Sequence, residues 1–237
     1  DSAGPGGSYV AAVVLTIIAI AVTSRLPKMP PEKREGPRRS TASQIADGLA
    51  YIRRTPMVRT LLLQGVFITL LAQPFIMLIQ VFAKHAYAAS ASQIGILYAA
   101  NGIGALIGAL AIAGMRQGNR GAILLWSSVL AGLALLLAAA FPIFAIGLVA
   151  LILSGFGQSG RMALGQALVI EQTEDQFRAR VMSVTMMTFG LMPLAVLPLG
   201  AAYDAVGASI PVFIMGGLLL AVSFYYLITQ TKLRRLP

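Results

Sequence analysis

The sequence predicts an all-α integral membrane protein with seven transmembrane helices, its N-terminus outside and its C-terminus inside. Three observations carry that prediction. Of 237 residues, 57% are apolar and only 11% charged, with a mean hydropathy of +0.81, whereas a water-soluble domain carries about 25% charge. The apolar residues gather in runs that can cross roughly 30 Å of hydrocarbon, which takes about 20 residues at 1.5 Å rise each. The basic residues fall in alternate connections, and basic loops resist translocation.

The runs lie near Ser8 to Thr23, Val58 to Phe82, Gln93 to Met115, Ala122 to Ala140, Ile143 to Ile170, Val181 to Tyr203 and Ile210 to Thr229. The chain begins at Asp1 with no basic segment ahead of the first run. That run therefore reads as a membrane helix rather than a signal peptide, and the chain as part of a longer one. Between the first and second runs lies the one long polar segment, Arg25 to Arg59, with nine basic residues against three acids. Pro27, Pro30, Pro31 and Pro37 make its first part an extended linker. Beyond it Ser40, Thr41 or Ser43 can cap a helix, and Ile45, Leu49 and Ile52 recur at helical spacing. This predicts a short amphipathic helix on the inner membrane surface, with a solvated linker as the other reading.

With Arg25 to Arg59 placed inside, sixteen of the eighteen Lys and Arg residues fall on inner connections, Lys84 lies outside, and Arg161 lies within a span. The formal net charge of +10 is thus a topology signal. A nucleic-acid surface would put its charges on one face, not in every second loop, so no nucleic-acid partner is expected.

Other function classes fall by composition. The chain has no cysteine and a single histidine, His85, which removes disulfide frameworks, thiolate metal sites and cysteine nucleophiles. No metal, cofactor or catalytic residue is expected. Gly157-Gln158-Ser159-Gly160 matches the G-x-S-G pattern with which rhomboid-type proteases present a serine, but a serine nucleophile needs a base within hydrogen-bond reach. His85 lies at the outer end of an earlier helix and precedes the serine instead of following it. No span holds two aspartates for acid catalysis, and the last span has no lysine for a retinal Schiff base.

Polar groups inside the spans are costly unless they face a neighbour or a cavity. In the fifth span Ser154, Gln158, Arg161 and Gly165 follow i, i+4, i+7, i+11 spacing and form one stripe. In the second span Thr69, Gln73 and Gln80 share a face, because seven residues return within about 20°. Two readings are open for these stripes: an aqueous path for substrate, or interhelical hydrogen bonding in a tight bundle. Arg161 costs roughly 2.5 to 3.5 kcal/mol near a helix centre. It lies some eight or nine residues before Ile170, roughly 12 Å from the inner end, so it either snorkels or faces a cavity and meets an anionic substrate group or an acid. Asn101 adds one amide to the third span, where Gly104 and Gly108 form a small-xxx-small pair for close helix packing. Pro74, Pro193 and Pro198 are expected to bend their helices.

Three local sequences carry a resemblance. Gly48-Leu49-Ala50-Tyr51-Ile52-Arg53-Arg54-Thr55-Pro56 looks like the "GL-Y-RR-P" start of helix seven in the bacterial drug and siderophore exporter branch of the major facilitator superfamily. That branch includes enterobactin exporters and macrolide efflux proteins. Glu174-Asp175-Gln176-Phe177-Arg178-Ala179-Arg180-Val181-Met182-Ser183 is similar to its "P-D-x-x-R-G-R-V-M-S" loop between helices ten and eleven, and Gly155-Phe156-Gly157-Gln158 to its glycine-rich helix ten. The resemblance covers essentially residues 8 to 230. In that fold each half is two inverted three-helix repeats.

The resemblance implies that residues 1–24 are the final helix of a missing N-terminal half, 25–57 a basic cytoplasmic linker, and 58–237 a six-helix C-terminal transporter domain. It further implies a secondary active exporter of drugs, siderophores or other small molecules in the bacterial inner membrane, with alternating access as its mechanism. Its partners would be the lipid bilayer, the missing half and a small-molecule substrate, anionic if Arg161 meets it directly. Proton coupling would come through the missing half, because no span here holds a carboxylate. The cavity candidates are Thr69, Gln73, Gln80, Ser154, Gln158 and Arg161. Glu171, Glu174, Asp175, Arg178 and Arg180 are candidates for a cytoplasmic gate, or plain inner-side charges. Ala179 replaces the family's glycine, and Gly114 to Gly121 lacks the aspartate of the superfamily's "G-x-x-x-D-R-x-G-R-R" loop, leaving Arg116 and Arg120 mainly as topology charges. A non-transporting seven-helix scaffold or receptor-like protein is the rival class.

Overall fold

The computed structural model describes residues 13–24 except 15 and 19, then 41–115 and 118–236. The chain divides into two units, residues 1–39 and 40–237. In the first, residues 13–14, 16–18 and 20–23 are helical, and the Ser24 hydroxyl donates to the Ala21 carbonyl at 2.9 Å. The rest of the expected first span, and the proline-rich linker over 25–40, lie outside the described residues.

The second unit begins with α1 (Thr41–Arg54) and α2 (Pro56–Met77). Pro56 occupies the first turn of α2, where its missing N–H costs nothing. Pro74 inside α2 removes one hydrogen bond, and the helix stops within a turn at Leu78. The run resumes as α3 (Ile79–Tyr87), which ends on Ala88 in the left-handed region, with the Ala89 N–H reaching back to the Ala83 carbonyl at 3.2 Å. A reciprocal Ser90 and Gln93 capping box starts α4 (Ala91–Ala113). Then come α5 (Arg120–Ala140), α6 (Phe144–Glu171), α7 (Asp175–Phe189), α8 (Met192–Val206), α9 (Ser209–Thr229) and the short α10 (Thr231–Arg234). Gly190 and Leu191 part α7 from α8, with Pro193 in the first turn of α8.

Among the described residues, six helices are long and apolar enough to cross a membrane: α2, α4, α5, α6, α9, and α7 with α8 counted as one span over Asp175–Val206. They match six of the seven expected runs, and the described residues contain no strand. Large apolar side chains such as Leu194, Leu197 and Ile228, each about 70% exposed, cover the outside; such a surface belongs in lipid, not water.

Packing is closest where glycines remove the Cβ. A Cβ on Gly104 would overlap the Ile152 carbonyl, and one on Gly155 the Asn101 carbonyl, while on Gly108 it would lie 2.6 Å from the Phe156 carbonyl. Asn101 donates its side-chain N–H to the Leu151 carbonyl at 3.2 Å. Asn101, Gly104 and Gly108 thus form the α4 face that meets α6.

Two large apolar clusters and a small one of Ile68, Ala72, Ala131 and Leu219 fill the bundle. One, with Phe75, Phe82, Leu97, Leu151 and Tyr203, lies at the α3 end. The other, with Val58, Leu125, Leu168, Val181 and Leu233, lies at the α1 and α10 end. Between them the core carries polar groups.

Candidate substrate cavity

Four of the six sequence-derived cavity residues, Thr69, Gln73, Gln158 and Arg161, line one cavity of about 120 Å³. Its walls come from α2, α6 and α7, with Leu124 of α5 at its edge. The Gln158 amide donates to that of Gln73 at 3.1 Å, joining α6 to α2. Arg161 donates from Nη1 to the Ser127 carbonyl of α5 at 3.4 Å, and none of the described ion pairs includes it. Gly157, one turn earlier, leaves room for this contact, since a Cβ there would lie 2.7 Å from the Ser127 carbonyl and 3.3 Å from Arg161 Nη1.

The other two lie elsewhere. Gln80 follows the break at Leu78 and stands exposed on α3, because the break ends the uninterrupted helical phase that put it in line with Gln73. Ser154 is buried at 4% exposure and does not reach the cavity.

Gln64 was not among the expected residues. It lines the cavity at 2% exposure, and neither its Oε1 nor its Nε2 has a partner among the described residues. Its signal in the sequence was a lone amide in an apolar run, costly on its own, but out of phase with Thr69 and Gln73. Thr185 and Thr188 of α7 also line the cavity.

The G-x-S-G segment is a packing feature. Ser159 donates to the Ala105 carbonyl at 2.6 Å, and a Cβ on Gly160 would overlap the Ser127 hydroxyl. His85 Nδ1 sits 2.8 Å from the Val81 carbonyl of its own helix. Among the described residues no cluster of His, Asp or Glu is placed to hold a metal.

At the α1 end the charged residues sort into specific pairs. Arg120 meets Glu171 at 2.6 Å, Arg178 meets Asp175 at 2.8 Å, and Arg180 meets Asp47 at 3.6 Å. Arg178 also donates from Nε to the Ile170 carbonyl at 3.2 Å, satisfying an open carbonyl at the end of α6. Glu174 accepts from Gln176 at 3.0 Å, and its backbone N–H donates to the Tyr51 hydroxyl at 3.1 Å. Arg120, expected as a topology charge, thus ties the start of α5 to the end of α6. Arg180 pairs with an acid of α1 rather than with the expected acids nearby.

Helices long and apolar enough to cross a membrane surround a mainly apolar cavity that also carries glutamine amides and one guanidinium, an arrangement that suits a membrane transporter. Residues 65–236 match the family model of the Major Facilitator Superfamily, and the chain belongs to that family. It is 30% identical over 179 residues to the enterobactin exporter EntS of Escherichia coli O1:K1, covering 75% of this chain and 42% of that protein. It is 31% identical over 176 residues to EntS of Salmonella typhi, covering 74% and 41%. The chain therefore spans less than half the length of these relatives. No solved structure gives a significant match.

Proposed function

We propose that this chain forms the C-terminal half, with one preceding helix, of a secondary active exporter of the bacterial inner membrane. The cavity between α2, α6 and α7 is its share of the substrate path, and alternating access exposes it to either side in turn. The observation that carries this reading is Arg161 in the cavity wall, beside the Gln73 and Gln158 amides and without a carboxylate partner among the described residues. A half-buried guanidinium held by one long hydrogen bond to a carbonyl keeps most of its donors for an anionic substrate group. The apolar residues Leu62, Met162, Val169, Met182 and Phe189 around it suit a substrate with an apolar body. The exporters it resembles support export of drugs, siderophores or similar small molecules. No described membrane helix has an acid facing this cavity, so proton coupling falls to the remainder of the protein, and the α1 end, where the basic residues gather, is the cytoplasmic side.

The test is protection of an efflux-deficient bacterium by the full-length protein against a panel of anionic and neutral toxic compounds. Wild type is expected to protect against at least one anionic compound. Arg161→Ala should remove that protection while the protein still inserts, and Arg161→Lys should keep part of it. Protection unchanged by Arg161→Ala would assign the guanidinium to snorkelling, and no protection by wild type would sink export.

A further inference from the structure

Two of the three segments that carry the family resemblance, around Tyr51 and around Phe177, touch. Tyr51 and Phe177 stack with centroids 4.3 Å apart and planes 17° from parallel, and the Tyr51 hydroxyl accepts from the Glu174 backbone N–H at 3.1 Å. Arg180 lies 5.4 Å from the Phe177 ring centroid and 3.6 Å from Asp47. Gly48 permits the approach, since a Cβ there would lie 3.2 Å from the Arg180 Cβ. Six residues thus join α1 to the first turns of α7.

The joint matters because α7 has little else to hold it. Val181 is the one buried residue of α7 among those described, and α7 as a whole packs more extensively on α1 than on any membrane helix. Yet the same helix supplies Met182, Thr185, Thr188 and Phe189 to the cavity wall. We propose that Tyr51 is a positioning residue: through its stack on Phe177 the linker helix sets where α7 stands, and so the shape of a cavity that Tyr51 never touches. Any load on the linker would then be felt at the cavity. This inference rests on the transport reading only for its consequence, because the joint's geometry can be measured whether or not a substrate is carried.

The experiment uses the full-length protein in inverted membrane vesicles, with any cysteine outside this chain replaced by serine; this chain has none. A thiol is placed in the cavity by Thr185→Cys, and its reaction rate with a methanethiosulfonate reagent is followed. Tyr51→Ala is expected to change that rate about two- to tenfold, in keeping with the worth of an aromatic pair, while Tyr51→Phe, which keeps the stack, leaves it near wild type. Phe177→Leu is the second route to the same loss, should Tyr51→Ala fail to accumulate, and combining the two should add nothing further. Separately, Gly48→Cys with Arg180→Cys should cross-link under mild oxidation, because a Cβ on Gly48 stands 3.2 Å from that of Arg180, a few tenths of an ångström short of the about 3.5–4.5 Å of a disulfide. An unchanged rate in Tyr51→Ala and Phe177→Leu, or no cross-link, overturns the proposal. A rate altered equally by Tyr51→Phe moves the control from the stack to the hydroxyl and also overturns it as stated. If the joint holds but the wild-type protein gives no protection against any compound, the transport reading fails and the positioning role stands.

Discussion

Gln158 and Gln73, 85 positions apart in sequence, meet amide to amide at 3.1 Å and fix α6 against α2 at the cavity wall. In a low-dielectric bundle such a pair protects each partner from the cost of an unmet polar group. The bond uses one N–H of Gln158 and leaves its second N–H and both of Gln73 outside the pair, on residues that line the cavity, so the pair is both a structural tie and a polar surface.

Removing one partner should therefore cost more than removing both. Gln73→Leu or Gln158→Leu is expected to destabilise by about 1–3 kcal/mol, the penalty of a buried unsatisfied amide. The double variant should lose clearly less than the sum of the two. Unfolding of the purified protein in detergent reads the cycle, and strict additivity would rule the pair out as a tie.

At Gly157 a methyl group has nowhere to go, with the Ser127 carbonyl 2.7 Å and Arg161 Nη1 3.3 Å from a Cβ. Gly157→Ala should push α5 and α6 apart and displace the Arg161 head, at a cost of about 1–3 kcal/mol from overpacking. Gly165→Ala, whose nearest neighbour is Leu124 at 4.0 Å, should be near neutral. Thermal denaturation of the two variants side by side makes the comparison, and equal melting would contradict the packing described.

Gly104 and Gly155 form the tightest contact between α4 and α6. Gly104→Val or Gly155→Val should abolish stable accumulation in the membrane, because the offending atoms are backbone carbonyls that cannot rotate away. Quantitative immunoblotting of membranes reports it; wild-type levels of either variant would be incompatible with this interface.

The Arg120 and Glu171 pair is 29% and 43% exposed, so its worth is modest, about 1 kcal/mol at most, and screened by salt. Glu171→Gln should lower stability slightly at low ionic strength and not at all in high salt. The charge-swapped double, Arg120→Glu with Glu171→Arg, should recover the loss. A deficit that persists undiminished in high salt would point to packing instead of charge.

Orientation is directly testable. A thiol introduced by Lys84→Cys should react with an impermeant maleimide added to intact spheroplasts, and one introduced by Arg235→Cys only in inverted vesicles. The opposite pattern would reverse the topology and move the charged pairs to the outer side.

Much of the fold was legible in advance because span length and apolarity are local sums. Six runs read from the sequence recur as α2 with α3, α4, α5, α6, α7 with α8, and α9, displaced by a few residues at their ends. The Gly104 and Gly108 spacing pointed to close packing, and these residues do meet α6. The site was legible only in part. Helical phase kept Thr69 with Gln73 and Gln158 with Arg161, but it failed at Gln80, where the break after Pro74 interrupts the count. It also passed over Gln64, whose place in the wall comes from neighbours on other helices.

The sequence by itself determined that this chain is a set of membrane helices and which connections carry its positive charge, because the free energy of moving a segment into hydrocarbon depends on that segment alone. Only the tertiary structure decided that Arg180 meets Asp47, that Arg120 meets Glu171 and that Tyr51 lies on Phe177. Those partners are chosen by the rotation and tilt of whole helices against one another, set by glycine contacts and proline breaks. A pairing between distant segments has no energy until the packing brings them together.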